Sequence, residues 1–135
     1  MRALIAGMCI LLSACTTTPQ GKSIDRSNYA DLASTAIALK VNDNAVEANP
    51  LGYALIPLKL GFGWAIEQRT ENCAERAYIA GKVNSVFYGL SFNNLAVAAG
   101  MTLPWSPLVG LAGGLWYYWL GYHLEPDALW DCEGV

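Results

Sequence analysis

From Val83 through Leu124 the chain carries no Asp, Glu, Lys or Arg. A run of that length leaves a soluble helix without a polar face to offer water, so it constrains the fold more than any other feature. Pro104 and Pro107 divide it into Val83–Leu103 and Leu108–Leu124. Both pieces fall in the range of roughly 17–25 residues that a membrane-spanning helix needs, and the Pro-Trp-Ser-Pro segment reads as the turn between them. A buried helical hairpin in a soluble protein is the alternative. Composition weighs against it: 54% of the 135 residues are hydrophobic and 14% charged, where soluble domains run at about 45–50% and about 25%. The length is that of one domain.

The N-terminus reads as a processing signal. Met1-Arg2 is followed by an apolar run to Leu12 and then by Ser13, Ala14 and Cys15. Leu12-Ser13-Ala14-Cys15 resembles the lipobox of bacterial lipoproteins. The resemblance implies that residues 1–14 are removed and that Cys15 carries a covalent lipid with fatty acyl chains such as palmitate, the one prosthetic group expected. An uncleaved first transmembrane helix is the other reading, although the apolar run is short for one. Residues 15–27 are polar and read as a lipidated tether.

The rest, 28–135, reads as an all-α helical membrane bundle of about four helices, near 28–42, 50–67, 78–103 and 107–124. Gly110 and Gly114 form G-x-x-x-G, and Ala96 with Gly100 forms a second small pair; such spacing lets helices approach in lipid, and contact within one chain is expected ahead of dimerisation. Four aromatics in a row, Trp116 to Trp119, surround one turn, so at least one faces lipid or a partner.

Beyond Cys9 and Cys15, the cysteines are Cys73 and Cys132, each shortly past an apolar stretch. With four spans and a periplasmic Cys15, both fall on the oxidising face and a Cys73–Cys132 disulfide is expected; two free thiols are the alternative. Arg69, Arg76 and Lys82 around that loop run against the positive-inside tendency, which three spans would satisfy.

Polar residues inside the apolar stretches are the candidate site. Asp31 with Ser34 and Thr35 marks one helix face, Lys59 lies mid-helix, and Asn93 and Asn94 lie at the centre of the third helix. Asn84, Ser91 and Asn94 share a stripe. An intramembrane lysine calls for an acid, and Asp31 is the first choice, Glu47 the second. Asp31, Thr35, Glu47, Asn49, Lys59, Asn93 and Asn94 are expected to form a polar network. It acts either as a clasp fixing helix register or as a site for an ion or small polar ligand. Asn49-Pro50 suits a helix start, Asn as cap and Pro in the first turn.

Asp31-x-x-Ser34-Thr35, Glu47-x-Asn49-Pro50 and Lys59 together resemble an uncharacterised family of small multi-pass bacterial membrane proteins, over Tyr29–Phe62. The resemblance implies a helical membrane domain and no known activity. Where that pattern has Gly after the first helix, this chain has Asn42-Asp43-Asn44, also turn-compatible.

Other chemistry is sparse. One histidine, His123, lacks partners at metal-ligand spacing, and no nucleophile constellation or phosphate loop occurs, so neither a metal site nor catalytic residues are expected. Acidic residues outnumber basic ones, 11 to 8, which argues against nucleic acid. The expectation is a lipid-anchored envelope protein of structural or partner-binding role. It would contact membrane lipid and a membrane-protein partner or its own copies, in the inner membrane with a periplasmic N-terminus, or in the outer membrane if lipid sorting prevails. A small membrane enzyme or transporter-like subunit using Asp31, Glu47, Lys59 and Asn94 is the rival reading. An exclusion or immunity lipoprotein of a mobile element is a third.

Overall fold

Thr18 and Pro19 start the first helix: Pro occupies the first turn, where no backbone donor is lost, and the Thr18 hydroxyl accepts from Gly21 N at 3.1 Å. The computed structural model describes residues 16–42, Lys59, 61–121 and Cys132. It is all-α, with four helices among these residues: α1 (Pro19–Val41), α2 (Phe62–Arg69), α3 (Cys73–Ala98) and α4 (Trp105–Trp116), the last continued by a π-helical turn, Tyr117–Gly121. Among the described residues no helix is both long and apolar enough to cross a membrane.

α3 is the centre, with α1 along one side and α4 along the other. α1 and α3 run parallel. Gln20 Nε2 lies 3.6 Å from Cys73 Sγ at their first turns, and Asn42 Nδ2 donates to Val97 O at 2.8 Å at their last. α2 ends back beside the start of α1, where the Glu67 carboxylate accepts Thr17 N at 3.1 Å and Thr18 N at 2.7 Å. The first turn of α1 has no acid of its own, so Glu67 supplies the negative charge that its dipole favours. Asn72 caps α3 through Ala74 N at 2.9 Å. Arg76 ties the corner between α2 and α3 by donating to Thr70 Oγ1 at 3.1 Å and to the Thr70 carbonyl.

One end of the bundle thus gathers Thr16, the end of α2, and the Cys73–Cys132 disulfide, whose Cα atoms are 5.8 Å apart. Asn42 and the α3–α4 turn occupy the opposite end.

Several expected boundaries move. Residues 19–27, expected as tether, form the first two turns of α1. The polar residues there are not solvated spacer: Gln20, Ser23, Asp25 and Ser27 are buried against α2 and α3. The third helix spans Cys73–Ala98 rather than 78–103, because Gly100 at φ 85° ends it. Gly100 therefore lies outside the helix, and the expected Ala96–Gly100 pair does not form a packing face. α4 begins at Trp105, with Pro107 tolerated in its first turn. Of the expected second helix, Lys59 and Phe62–Arg69 are helical, and residues 50–58 and 60 lie outside the described residues, as do Cys15, Glu47, Asn49 and His123.

α3 and α4 meet on glycine. A Cβ on Gly110 would lie 2.8 Å from Asn93 Cβ and 2.8 Å from Gly89 O, and one on Gly114 would lie 2.8 Å from Ser85 O. The Gly110-x-x-x-Gly114 motif is thus used within the chain. Gly110→Ala forces the backbones apart and is expected to lower stability by about 1–3 kcal/mol, the usual cost of overpacking. Thermal unfolding of the purified variant measures it. A wild-type midpoint would mean that the seam is loose.

Candidate functional site: a buried polar network

The core is polar. Ile24, Ile66 and Ala80 form its small hydrophobic cluster, while Gln20, Asn28, Asp31 and Asn84 are the larger fully buried side chains beside Ile24. Outside, large apolar residues face outward: Trp119 is 66% exposed, Leu111 61% and Val86 60%. This reverses the usual distribution, in which large apolar side chains fill the interior.

Two layers of hydrogen bonds cross the bundle. In the first, Asn84 of α3 donates through Nδ2 to Ser23 Oγ at 2.7 Å and to Tyr117 OH at 3.3 Å. Its Oδ1 lies 2.7 Å from Ser27 Oγ, whose single proton is shared with Ile24 O at 2.8 Å. Tyr117 stacks on Tyr88 with centroids 4.5 Å apart, so this layer joins α1, α3 and the π-helical turn.

The second layer is centred on Asp31. Its Oδ2 receives Lys59 Nζ at 2.8 Å, and its Oδ1 receives Asn94 Nδ2 at 3.1 Å. The Ser34 and Thr35 hydroxyls send their protons to the Asp31 carbonyl, at 2.9 and 2.8 Å. That leaves their oxygen lone pairs for Asn94 Nδ2, which lies 3.2 and 2.9 Å away. Asn28 Nδ2 donates to Lys59 O at 2.8 Å, and the Lys59 ammonium sits 6.0 Å from the Phe87 ring. Both carboxylate oxygens of Asp31 are occupied, and its charge is matched by one ammonium.

Asp31, Ser34, Thr35, Lys59 and Asn94 are therefore brought together. Asn93 is not among them. Adjacent helical residues point about 100° apart, so with Asn94 on α1, Asn93 turns to α4 and packs on Gly110. In the expected stripe, Asn84 and Ser91 are buried, Ser91 Oγ bonding Phe87 O at 2.9 Å within its own helix.

What sequence reasoning missed is the first half of α1. Gln20, Ser23, Ser27, Asp31 and Ser34 recur at spacings of three and four, a helical period of polar residues. That period was the available signal, and it is hidden when the segment is read as a tether.

Asp25 also lies in that segment. Thr16 Oγ1 donates to its Oδ2 at 2.6 Å, but its buried Oδ1 has no hydrogen-bond partner among the described residues. Burial raises its pKa, with the nearby Glu67 charge adding to the effect against the lowering influence of Thr16. A carboxyl whose folded pKa is raised contributes stability that is full below about 3.8 and is lost as pH rises through the folded value. Asp25→Asn, which stays neutral, is expected to flatten that part of the stability–pH curve and to raise the midpoint at pH 7. Parallel unfolding curves for the two proteins from pH 3 to 8 would show that Asp25 does not titrate as described.

Among the described residues no group of His, Cys, Asp or Glu has the arrangement to hold a metal ion. No protein-family model, curated protein or solved structure matches the chain, so its own geometry has to carry the functional reading.

Proposed function

We propose that the chain is a lipid-anchored, membrane-embedded helical protein of the bacterial envelope with a structural or partner-binding role, in which the Asp31–Lys59–Asn94 layer fixes helix register. The observation that carries this is the inverted distribution of side chains, with polar groups inside and Leu, Val and Trp outside. A helix with an inward polar stripe has a low mean hydropathy yet presents an apolar outer face. Embedding is thus a property of the bundle, with α1 embedded from about Asn28 onward and Thr16–Ser27 at headgroup level. Helix–helix hydrogen bonds are the expected adhesive where lipid removes the hydrophobic drive between helices.

Polarity of the ends supports the orientation. Thr16, next to Cys15, and the Cys73–Cys132 disulfide share one end, so a lipid on Cys15 and the disulfide belong on the same, oxidising side. The clasp is preferred over a ligand site because both Asp31 oxygens already have partners.

Two measurements test this reading. The chain is expected in the membrane pellet after alkaline extraction, with acyl labelling lost in Cys15→Ala. In intact cells, Cys73 and Cys132 should react with a membrane-impermeant maleimide only after an impermeant reductant is added. Release into the alkaline supernatant, or thiols reachable only after lysis, would overturn the assignment.

A further inference from the structure

Beside the glycine seam, α3 and α4 leave a groove of about 630 Å³ on the outer surface. Its walls are Val86 and Leu90 of α3 and Leu111 and Leu115 of α4, and its lower edge is formed by Ser85 and Tyr118. The glycines themselves are consumed: Gly89, Gly110 and Gly114 already pack backbone against backbone, so no second helix can seat on them at close range. What remains open is an apolar groove over about two turns of α3, from Ser85 to Asn93.

Lys82 stands one turn below Ser85 and Val86, toward the disulfide end. It is exposed, its ammonium lies 4.1 Å over the Tyr78 ring, and it makes no ion pair among the described residues. From Lys82 to Asn93 the helix rises about 16 Å at about 1.5 Å per residue, close to the half-thickness of a bilayer's hydrocarbon core, about 15 Å. An apolar groove running from Ser85 to Asn93, with a cation about one turn beyond its end, matches the two halves of one amphiphile, the two together spanning about one leaflet.

We propose that this groove binds a single anionic glycerophospholipid, with an acyl chain along Val86, Leu90, Leu111 and Leu115 and the phosphate at Lys82. The proposal rests on the membrane reading above. It places the bound lipid in the same leaflet as the acyl chains on Cys15. The Tyr78 ring under the ammonium holds it at headgroup level, where aromatic rings with a polar tip are favoured.

The full-length protein, extracted from membranes in detergent, is titrated with phosphatidylglycerol or phosphatidylcholine and examined by native mass spectrometry. The unaltered chain is expected to retain phosphatidylglycerol about fivefold better, the ratio for one lysine beside an anionic surface. Lys82→Gln should equalise the two lipids, and Leu111→Trp, which fills the groove, should weaken both. Both sites are exposed, and circular dichroism checks that the variants remain helical. Equal retention by the unaltered chain, a preference surviving Lys82→Gln, or undiminished retention by Leu111→Trp would overturn the proposal. So would a dimer that Leu111→Trp dissociates, since a second copy would then occupy the groove. A chain released by alkaline extraction fails the membrane reading itself; a membrane-retained chain with no lipid preference fails this inference alone.

Discussion

Asp31→Ala is expected to lower stability by about 3 kcal/mol, roughly a hundredfold in the folded-to-unfolded ratio, because it removes the one group that both Lys59 and Asn94 need. Removing one member of a buried ion pair costs about 3–5 kcal/mol. The lower end applies here since the Lys59 side chain keeps 30% exposure and can swing outward, whereas Asp31 keeps 2% and cannot. Asp31→Asn retains a carbonyl for Asn94 and loses only the charge, so about 1–2 kcal/mol is expected. Lys59→Ala strands the carboxylate with the Asn94 amide as its remaining described partner and should rank close to Asp31→Ala. In the double variant neither charge is left over, and its loss should fall well short of the two single losses combined. Chemical unfolding in detergent of the four proteins closes this cycle. Additive losses would mean that the pair is not coupled. Normal stability with a lost cellular phenotype would exchange the clasp for a ligand site.

That cycle probes the part of the molecule most legible from sequence. An ionisable group in an apolar stretch is costly enough to demand a partner, so Lys59 points to Asp31 without coordinates. Helical periodicity then puts Ser34 and Thr35 on the face of Asp31. What periodicity does not give is rotation: Asn93 and Asn94 are equally polar neighbours, and only the packing of α3 between α1 and α4 decides that Asn94 faces the network and Asn93 the glycine seam. The segment before Asn28 failed for a different reason. Its Ser, Thr and Asp residues have low helix propensity and, with Gln20, high polarity, which normally describes a solvated linker. They fold because the partners are long-range: Glu67 caps the helix start from α2, and Asn84 collects Ser23 and Ser27 from α3. Gly110-x-x-x-Gly114 was legible as a packing motif, but whether it joins two copies or two helices of one chain depended on where Gly89 falls on α3.

Reduction of Cys73–Cys132 is expected to cost about 4 kcal/mol, the largest single effect in the molecule. The two residues are 59 apart in sequence, and the loop-closure entropy removed from the unfolded chain grows with the logarithm of that separation. The loop contains both α3 and α4. Breaking the bridge therefore releases the end of the chain from the end of the bundle where Gln20 and Glu67 hold α1. A shift in thermal midpoint on the order of 10–20 °C on adding reductant is the expected reading. Cys73→Ser and Cys132→Ser should each reproduce it, and the double variant should be no worse than Cys73→Ser alone, because the bridge is already lost with one sulfur. Cys73→Ser also removes the sulfur beside Gln20 Nε2, so a somewhat larger loss than for Cys132→Ser is consistent with the same geometry. An unchanged midpoint with reductant, with both thiols alkylated in the untreated protein, would show that the bridge does not form. The Glu67 contacts would then be left to hold that end of the bundle, and no disulfide would place it on an oxidising face.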